Sequence, residues 1–278
     1  MSSNICIIVP CYNEAVRLDS GQFIRFAAAN SRIQFVMVND GSQDETLHVL
    51  KKLQQRLPQQ IAVVDLIENF GKAEAVRQGM LHGLNNAPDY IGYWDADLAT
   101  PLDAIPEFEH VLDTRDDMDL VVASRLPLLG RRIQRHWLRQ KIGKACAGMA
   151  STALGIRLQD TQCGAKLFRV TPVTSHVFST PLGSRWLFDV ELFARLIRTW
   201  KALEDRPFSR RVFEFPLQRW DEVPGSTLRK MDFFRAGLEL WSIYWRYLNP
   251  LARLPDVSTI EEQVESARTI LPFKKRAA

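Results

Sequence analysis

Two aspartates separated by one small residue, Asp95-Ala96-Asp97, end the apolar run Tyr90-Ile91-Gly92-Tyr93-Trp94. Side chains at i and i+2 of an extended segment point the same way, so both carboxylates could converge at the carboxyl end of a strand. Paired hard oxygen donors suit Mg2+ or Mn2+ shared with substrate phosphates. Capping of the helix that Pro101 is expected to open, once it has stopped the strand, is the competing reading, and Asp-x-Asp alone does not decide between them.

Other residues able to do chemistry fall at comparable places. Cys11-Tyr12-Asn13-Glu14 follows Ile5-Cys6-Ile7-Ile8-Val9-Pro10; Tyr12 could lie against a base and Glu14 could accept a hydrogen bond, or both could simply shape a loop. After the strand expected over 34–38, Ser42 and Glu45 fit a capping box for a helix striped by Leu47, Leu50, Leu53 and Leu57. Asp40 is not needed for that cap, which leaves it free to accept donors from a base or ribose. A glycine and a lysine at a helix start, Asn69-Phe70-Gly71-Lys72, favour a bound anion as much as they fit a plain turn. Asp160-Thr161-Gln162-Cys163-Gly164, before the strand-like Ala165–Phe168, could hold a carboxylate over a cleft or stabilise its own turn. From Arg125 to Lys144 seven cations (Arg125, Arg131, Arg132, Arg135, Arg139, Lys141 and Lys144) occur with no acidic residue, among Leu126, Leu128, Leu129, Ile133, Trp137 and Leu138. That mixture suits phosphate binding near a membrane interface. It does not suit nucleic acid, since the basic stretch is confined to one segment of a nearly neutral chain.

The elements that must position these groups are short apolar runs rich in β-branched residues, each followed by a helical stripe such as Val76, Met80 and Leu84. Such runs read as buried strands of a parallel sheet in an α/β domain, where ligands bind beyond the carboxyl ends of the strands. Further strands are expected at 120–124 and 212–216, and a closely packed helix is expected to run to about Leu154, with Gly143, Ala145, Ala147, Gly148 and Ala150 on it. In the helix opened by Trp186, Asp189 and Glu191 should not share a buried face, so at least one should reach solvent or the site. Between Met231 and Leu248 a helix carries Phe234, Leu238, Trp241, Trp245 and Leu248, with Arg235 and Arg246 nearby; it would lie in a membrane interface or dock on the domain. Lys274, Lys275 and Arg276 belong to an expected disordered basic tail.

Bulk properties narrow the classes. The 278 residues are 46% hydrophobic and 24% charged, with a formal net charge of +4, which permits anionic substrates or an anionic membrane surface. Cys6, Cys11, Cys146 and Cys163 are not paired at metal-like spacing, and free thiols in a reducing cytoplasm are expected. No run approaches the roughly 20 apolar residues needed to cross a bilayer, and no secretory signal precedes the first strand. Neither an internal repeat nor a second domain is evident.

Taken in order, Val9-Pro10-Cys11-Tyr12-Asn13-Glu14, Asn39-Asp40-Gly41-Ser42, Asn69-Phe70-Gly71-Lys72 and Trp94-Asp95-Ala96-Asp97 resemble the motifs of family 2 glycosyltransferases. The later Asp160-Thr161-Gln162-Cys163-Gly164-Ala165-Lys166-Leu167-Phe168 and Trp186-Leu187-Phe188-Asp189-Val190-Glu191-Leu192 resemble the dolichyl-phosphate β-glucosyltransferases and their bacterial polyprenyl-phosphate relatives. The resemblance spans residues 4–230 and implies a GT-A fold: a Rossmann-like mixed sheet, mostly parallel, flanked by helices. It implies a glycosyltransferase domain over 1–230, followed over 231–278 by an amphipathic helix and basic tail able to associate with membrane. Pro10, Tyr12, Glu14 and Asp40 would hold the nucleoside, with Lys72 nearby. Asp95 and Asp97 would bracket Mg2+ or Mn2+ and the diphosphate, Arg125 and Arg139 would face phosphates, and Asp160 would lie near the acceptor. The implied reaction is inverting transfer of a hexose from a nucleotide sugar, UDP-glucose ahead of GDP-mannose, to a polyprenyl (dolichyl or undecaprenyl) phosphate at the cytoplasmic face of a membrane. A saccharide or protein-linked acceptor, or a catalytically silent nucleotide-sugar-binding module, is the alternative. Related mannose synthases carry a metal-binding glutamine where this chain has Ala99, and a lysine after the late Gly-Ser where it has Thr227, leaving Arg229 or Lys230 as substitutes. The C-terminal spans of many bacterial relatives and the N-terminal anchor of the eukaryotic enzyme are not expected here.

Overall fold

Strand β1, Ile5–Cys11, is buried along nearly its whole length because alternate side chains enter two different cores. Cys6 and Ile8 face one, Ile5, Ile7 and Val9 the other, as a strand covered on both faces requires. The computed structural model describes residues 3–134, 147–203, 207–221, 230–249, 251–252, 254–258 and 260. Arg135, Arg139, Lys141 and Lys144, the Thr227 and Arg229 positions, and the basic tail lie outside the described residues.

Seven strands form the main sheet in the order β3-β2-β1-β4-β7-β5-β8: β2 is Ile33–Asp40, β3 Ile61–Leu66, β4 Tyr90–Trp94, β5 Leu120–Ser124, β7 Ala165–Arg169 and β8 Val212–Pro216. All neighbours are parallel except β7, which runs antiparallel to both β4 and β5. A separate ribbon pairs β6, Arg132–Gln134, with β9, Arg219–Asp221. Helices α1 (Ser20–Ala29), α2 (Thr46–Arg56) and α4 (Ala104–Thr114) cover one face through Phe23, Leu50, Leu53, Ile105 and Phe108; α3 (Lys72–Leu84), α6 (Pro172–Ser179) and α7 (Phe188–Ala202) cover the other through Val76, Met80, Val177, Val190 and Phe193. The α/β expectation, with a mostly parallel sheet, holds.

Several local expectations are corrected. The capping box does not form: the Ser42 hydroxyl accepts the Asn13 N–H at 3.1 Å, and Asp44 Oδ1 takes the Thr46 N–H at 3.0 Å, so α2 is capped by an aspartate two residues ahead of it. Pro101 opens a turn, Ala104 N donating to Pro101 O at 3.2 Å, and α4 starts only at Ala104. In the described helical stretch 147–154, named α5 here, Ala147, Ala150 and Leu154 are buried but Gly148 faces open space. Helix α8, Lys230–Ile243, runs into a π-helical turn, Tyr244–Leu248. It docks through Ala236, Leu240, Ile243 and Tyr247, while Leu238, Trp241 and Trp245 stay exposed. None of the described helices is long and apolar enough to cross a membrane.

Candidate active site

The first three strands end in loops that hold one another. Asn13, at φ 52°, donates its N–H to Ser42 and accepts the Gln43 N–H on Oδ1 at 2.9 Å, while Glu14 N donates to Thr46 Oγ1 at 2.7 Å. Pro10 and Glu14 are half-buried at this edge and Tyr12 is exposed. Glu14 meets Arg17 at 2.6 Å with one oxygen, whereas its other oxygen is buried without a hydrogen-bond partner among the described residues. Burial pushes the Glu14 carboxyl up, Arg17 pulls it back, and Asp97 and Asp95 push it further. This carboxylate therefore shares an electrostatic neighbourhood with the Asp-x-Asp pair.

Asp40 is not free at its strand tip. It is buried, accepting the Phe70 N–H at 2.9 Å, the Gly71 N–H at 3.0 Å and the Asn69 amide at 3.1 Å. Sequence could not reveal this because the donors lie some 30 residues away, across β3. In the structure Asp40 shapes the turn that starts α3, and any nucleoside contact has to share it with that turn.

Beyond β4 the chain turns sharply, Leu98 N donating to Asp95 O at 3.2 Å with Leu98 at φ 53°. Such a φ is strained for a branched side chain. The turn leaves Asp95 and Asp97 half-buried. Asp97 Oδ1 accepts the Ala99 N–H at 3.1 Å, and burial first, then the Asp95 charge, raises its carboxyl above the ordinary range. Lys72, first residue of α3, pairs with Asp95 and lies 5.8 Å from the Phe188 ring centroid. Burial alone would lower the Lys72 ammonium, but Asp95, Asp189 and Asp97 hold it above its ordinary value. Gly164 is required here because a Cβ would collide with the Asp95 carboxylate.

On the far side of β4, Arg125 and Asp160 meet. Asp160 Oδ2 accepts the Arg125 N–H at 3.1 Å and Nε at 2.6 Å, and Oδ1 accepts Nη2 at 2.8 Å. Glu214 of β8 fixes the loop by accepting the Gln159 and Asp160 N–H groups at 3.0 and 2.9 Å. Burial opposes the Arg125 charge, but Asp160, with smaller help from Cys163 and Asp95, keeps the guanidinium above its usual range. The Arg125 Cζ lies 5.3 Å from the Trp220 ring centroid. These two expected site residues thus form one forked pair, with the Asp160 oxygens engaged rather than open.

Beneath the edge, Lys166 is fully buried, 2.7 Å from Asp189 and 2.8 Å from Cys163 O, and Tyr93 donates its hydroxyl to the same Asp189 oxygen. Asp189 and Glu191 are both buried, against expectation. Helix α7 is surrounded, so a side facing away from one neighbour faces another. Glu191 accepts the Ser184 N–H at 2.7 Å, Arg195 at 2.9 Å and the Tyr247 hydroxyl at 2.8 Å. Sequence reasoning assigned no site role to Gly164, Asn69, Lys166 or Arg185; the first three lie inside motifs given above, and Arg185 immediately precedes one. Arg139 lies outside the described residues.

A model of glycosyl transferase family 2 matches residues 6–177. The chain is 31% identical over 277 residues to a dolichyl-phosphate beta-glucosyltransferase of Drosophila melanogaster, covering 94% of this chain and 80% of that one. It is 27% identical to the human dolichyl-phosphate beta-glucosyltransferase, covering 91% and 78%. Among solved structures, a glucosyl-3-phosphoglycerate synthase of Mycobacterium tuberculosis in complex with Mn2+, UDP-glucose and phosphoglyceric acid superposes with a TM-score of 0.56 at 18% identity, covering 89% of this chain and 78% of the other. A mannosyltransferase of Pyrobaculum calidifontis in complex with GDP-Man and Mn2+ does so with a TM-score of 0.58 at 16% identity, covering 98% and 73%. At these identities the two structures bear on the fold, which is the GT-A architecture.

Proposed function

The chain belongs to glycosyl transferase family 2, and from that premise we propose that it moves glucose from UDP-glucose to a polyprenyl phosphate, with inversion at the anomeric carbon. The observation that carries this reading is the gathering of Asp95, Asp97, Lys72 and the Arg125–Asp160 pair at the carboxyl ends of β4, β5 and their neighbours, in a chain similar over most of its length to dolichyl-phosphate beta-glucosyltransferases.

Asp95 and Asp97 fit a divalent cation. Asp97 is raised by burial and by the neighbouring Asp95 charge, a strain that a dication on both would relieve. No third His, Cys, Asp or Glu joins them among the described residues, which leaves coordination sites for diphosphate oxygens and water. When bound, Mg2+ or Mn2+ would neutralise charge on the departing diphosphate as the C1–O bond breaks. The remaining roles belong to the chain. Pro10, Tyr12 and Glu14 line the nucleoside side, with Asp40 behind the Asn69–Gly71 turn. Lys72 stands beside Asp95, ready to meet a phosphate oxygen. Arg125 faces the acceptor phosphate, and Asp160 orients Arg125. An acceptor phosphate is already anionic and needs positioning more than deprotonation, which agrees with an Asp160 whose oxygens are engaged.

The acceptor would be met at the cytoplasmic face of a membrane. Leu238, Trp241 and Trp245 of the C-terminal region are 54%, 65% and 51% exposed on one side of α8 and its π-helical turn, and Arg235 and Arg246 in the same stretch are exposed too, a pattern suited to peripheral insertion. The test is incubation of purified protein with UDP-glucose or GDP-mannose, Mn2+, and either a short-chain polyprenyl phosphate or a soluble saccharide. Glucose recovered in the organic phase supports the proposal; transfer only to the saccharide replaces the acceptor, and no transfer from either donor refutes it.

A further inference from the structure

The loop between α6 and α7 is held by two buried or half-buried carboxylates. Glu239 of α8 accepts the Ser184 hydroxyl, the Trp186 N–H at 3.1 Å and the Leu187 N–H at 2.9 Å; Glu191 of α7 accepts the Gly183 and Ser184 N–H groups at 3.1 and 2.7 Å. So many charge-assisted bonds on four residues fix the backbone on both sides of Arg185. Its exposed side chain is thereby carried across to the turn before α3. There Nη2 donates to Asn69 Oδ1 at 2.9 Å, and the guanidinium stem packs on Gly71, where a Cβ would come within 2.8 Å of Nε. Gly71 has φ 95° and directly precedes Lys72.

The cations around this cleft differ in what neutralises them. Lys72 is on Asp95, Arg125 on Asp160 and Arg17 on Glu14. Arg185 has no carboxylate within ion-pair distance among the described residues. Asp40, whose charge it influences, is turned to the Asn69–Gly71 donors instead. A guanidinium anchored by one nitrogen, with no second hydrogen bond and no ion pair among the described residues, is suited to an incoming oxyanion.

Resting on the donor reading above, we propose that Arg185 binds the diphosphate of the nucleotide sugar, and that Glu239 and Glu191 are positioning residues that hold it there. The bond is non-covalent, guanidinium N–H to phosphate oxygen. A purely structural Arg185 would only buttress the turn through Asn69.

The experiment compares UDP and uridine binding to the full-length wild type, Arg185→Gln and Arg185→Lys, by calorimetry for UDP and ligand-observed NMR for uridine. Arg185→Gln is expected to weaken UDP by roughly tenfold or more while leaving uridine unchanged, since one charge-assisted bond is at stake. Arg185→Lys should fall between, keeping the charge but not the fork. Raising salt should shrink the gap between wild type and Arg185→Gln. Unchanged UDP affinity in Arg185→Gln, or equal losses for UDP and uridine, overturns the assignment and leaves the donor reading standing. A wild type that binds neither UDP nor GDP overturns the donor reading itself, and the assignment with it.

Discussion

Two lysine–aspartate pairs lie on either side of the same sheet edge and do opposite things. Lys166–Asp189 is 1% and 6% exposed at its side chains; Lys72–Asp95 is 39% and 33% exposed. The inner pair sits between the Tyr93 and Phe193 rings, 5.3 and 5.5 Å from Lys166 Nζ, and is completed by Cys163 O and the Tyr93 hydroxyl. Burying two charges is tolerable only with that completion, and losing one partner strands the other. The outer pair stands half in water, where the same contact contributes little to stability and costs little to exchange for a ligand. One pair of residue types thus serves as scaffold inside and, on the function proposed above, as working surface outside, according to how much water each keeps.

That contrast can be broken in several ways. The largest expected effect is on chemistry: Asp97→Asn should lower sugar transfer by more than about a hundredfold, because it removes an electrostatic partner of the leaving group, with circular dichroism unchanged and melting no lower than that of wild type. Next comes stability. Asp189→Ala should cost roughly 3–5 kcal/mol in denaturant unfolding by leaving Lys166 buried and uncompensated, whereas Lys72→Ala should cost about 0–1 kcal/mol yet still reduce transfer. Equal stability losses at the two sites would erase the distinction.

A smaller effect follows from pH. Asp97 is raised above its ordinary value of 3.8 by burial, then by Asp95. A carboxyl raised on folding binds its proton more tightly in the folded state. The stability it contributes is fully present below 3.8 and is lost as pH rises through its higher folded value. Without a divalent ion, wild type should therefore lose melting temperature relative to Asp97→Asn as pH rises through that window; parallel curves would show that Asp97 carries no such load. The smallest effect concerns α8. Replacing Trp241 and Trp245 with serine should release the protein from anionic liposomes at high salt, where charge attraction is screened but apolar insertion is not, with melting little changed because both rings are exposed. Flotation unaltered by the double substitution would place the membrane contact elsewhere.

Much of the sheet was legible because β1, β4 and β5 are short continuous apolar runs and β3 and β8 are apolar but for Asp65 and Glu214, and the position of Asp95-Ala96-Asp97 beyond a strand follows from the run before it. What stayed hidden depends on neighbours distant in sequence. Arg125 and Asp160 meet because β7 inserts antiparallel between β4 and β5, which no local pattern announces. Ser42 looked like a helix cap and serves another loop; Asp40 looked free and is held by a turn beyond the next strand. Asp189 and Glu191 misled because amphipathic reasoning assumes a helix with one dry side, and α7 has several.

The most direct test of the outer edge as the working surface is Mn2+ binding followed by electron paramagnetic resonance, with UDP added to wild type and to Asp97→Asn. The expected result is immobilised Mn2+ in wild type, strongly increased by UDP, with both signals largely lost in Asp97→Asn while its fold persists. Mn2+ and UDP bound together as tightly by Asp97→Asn as by wild type would contradict it.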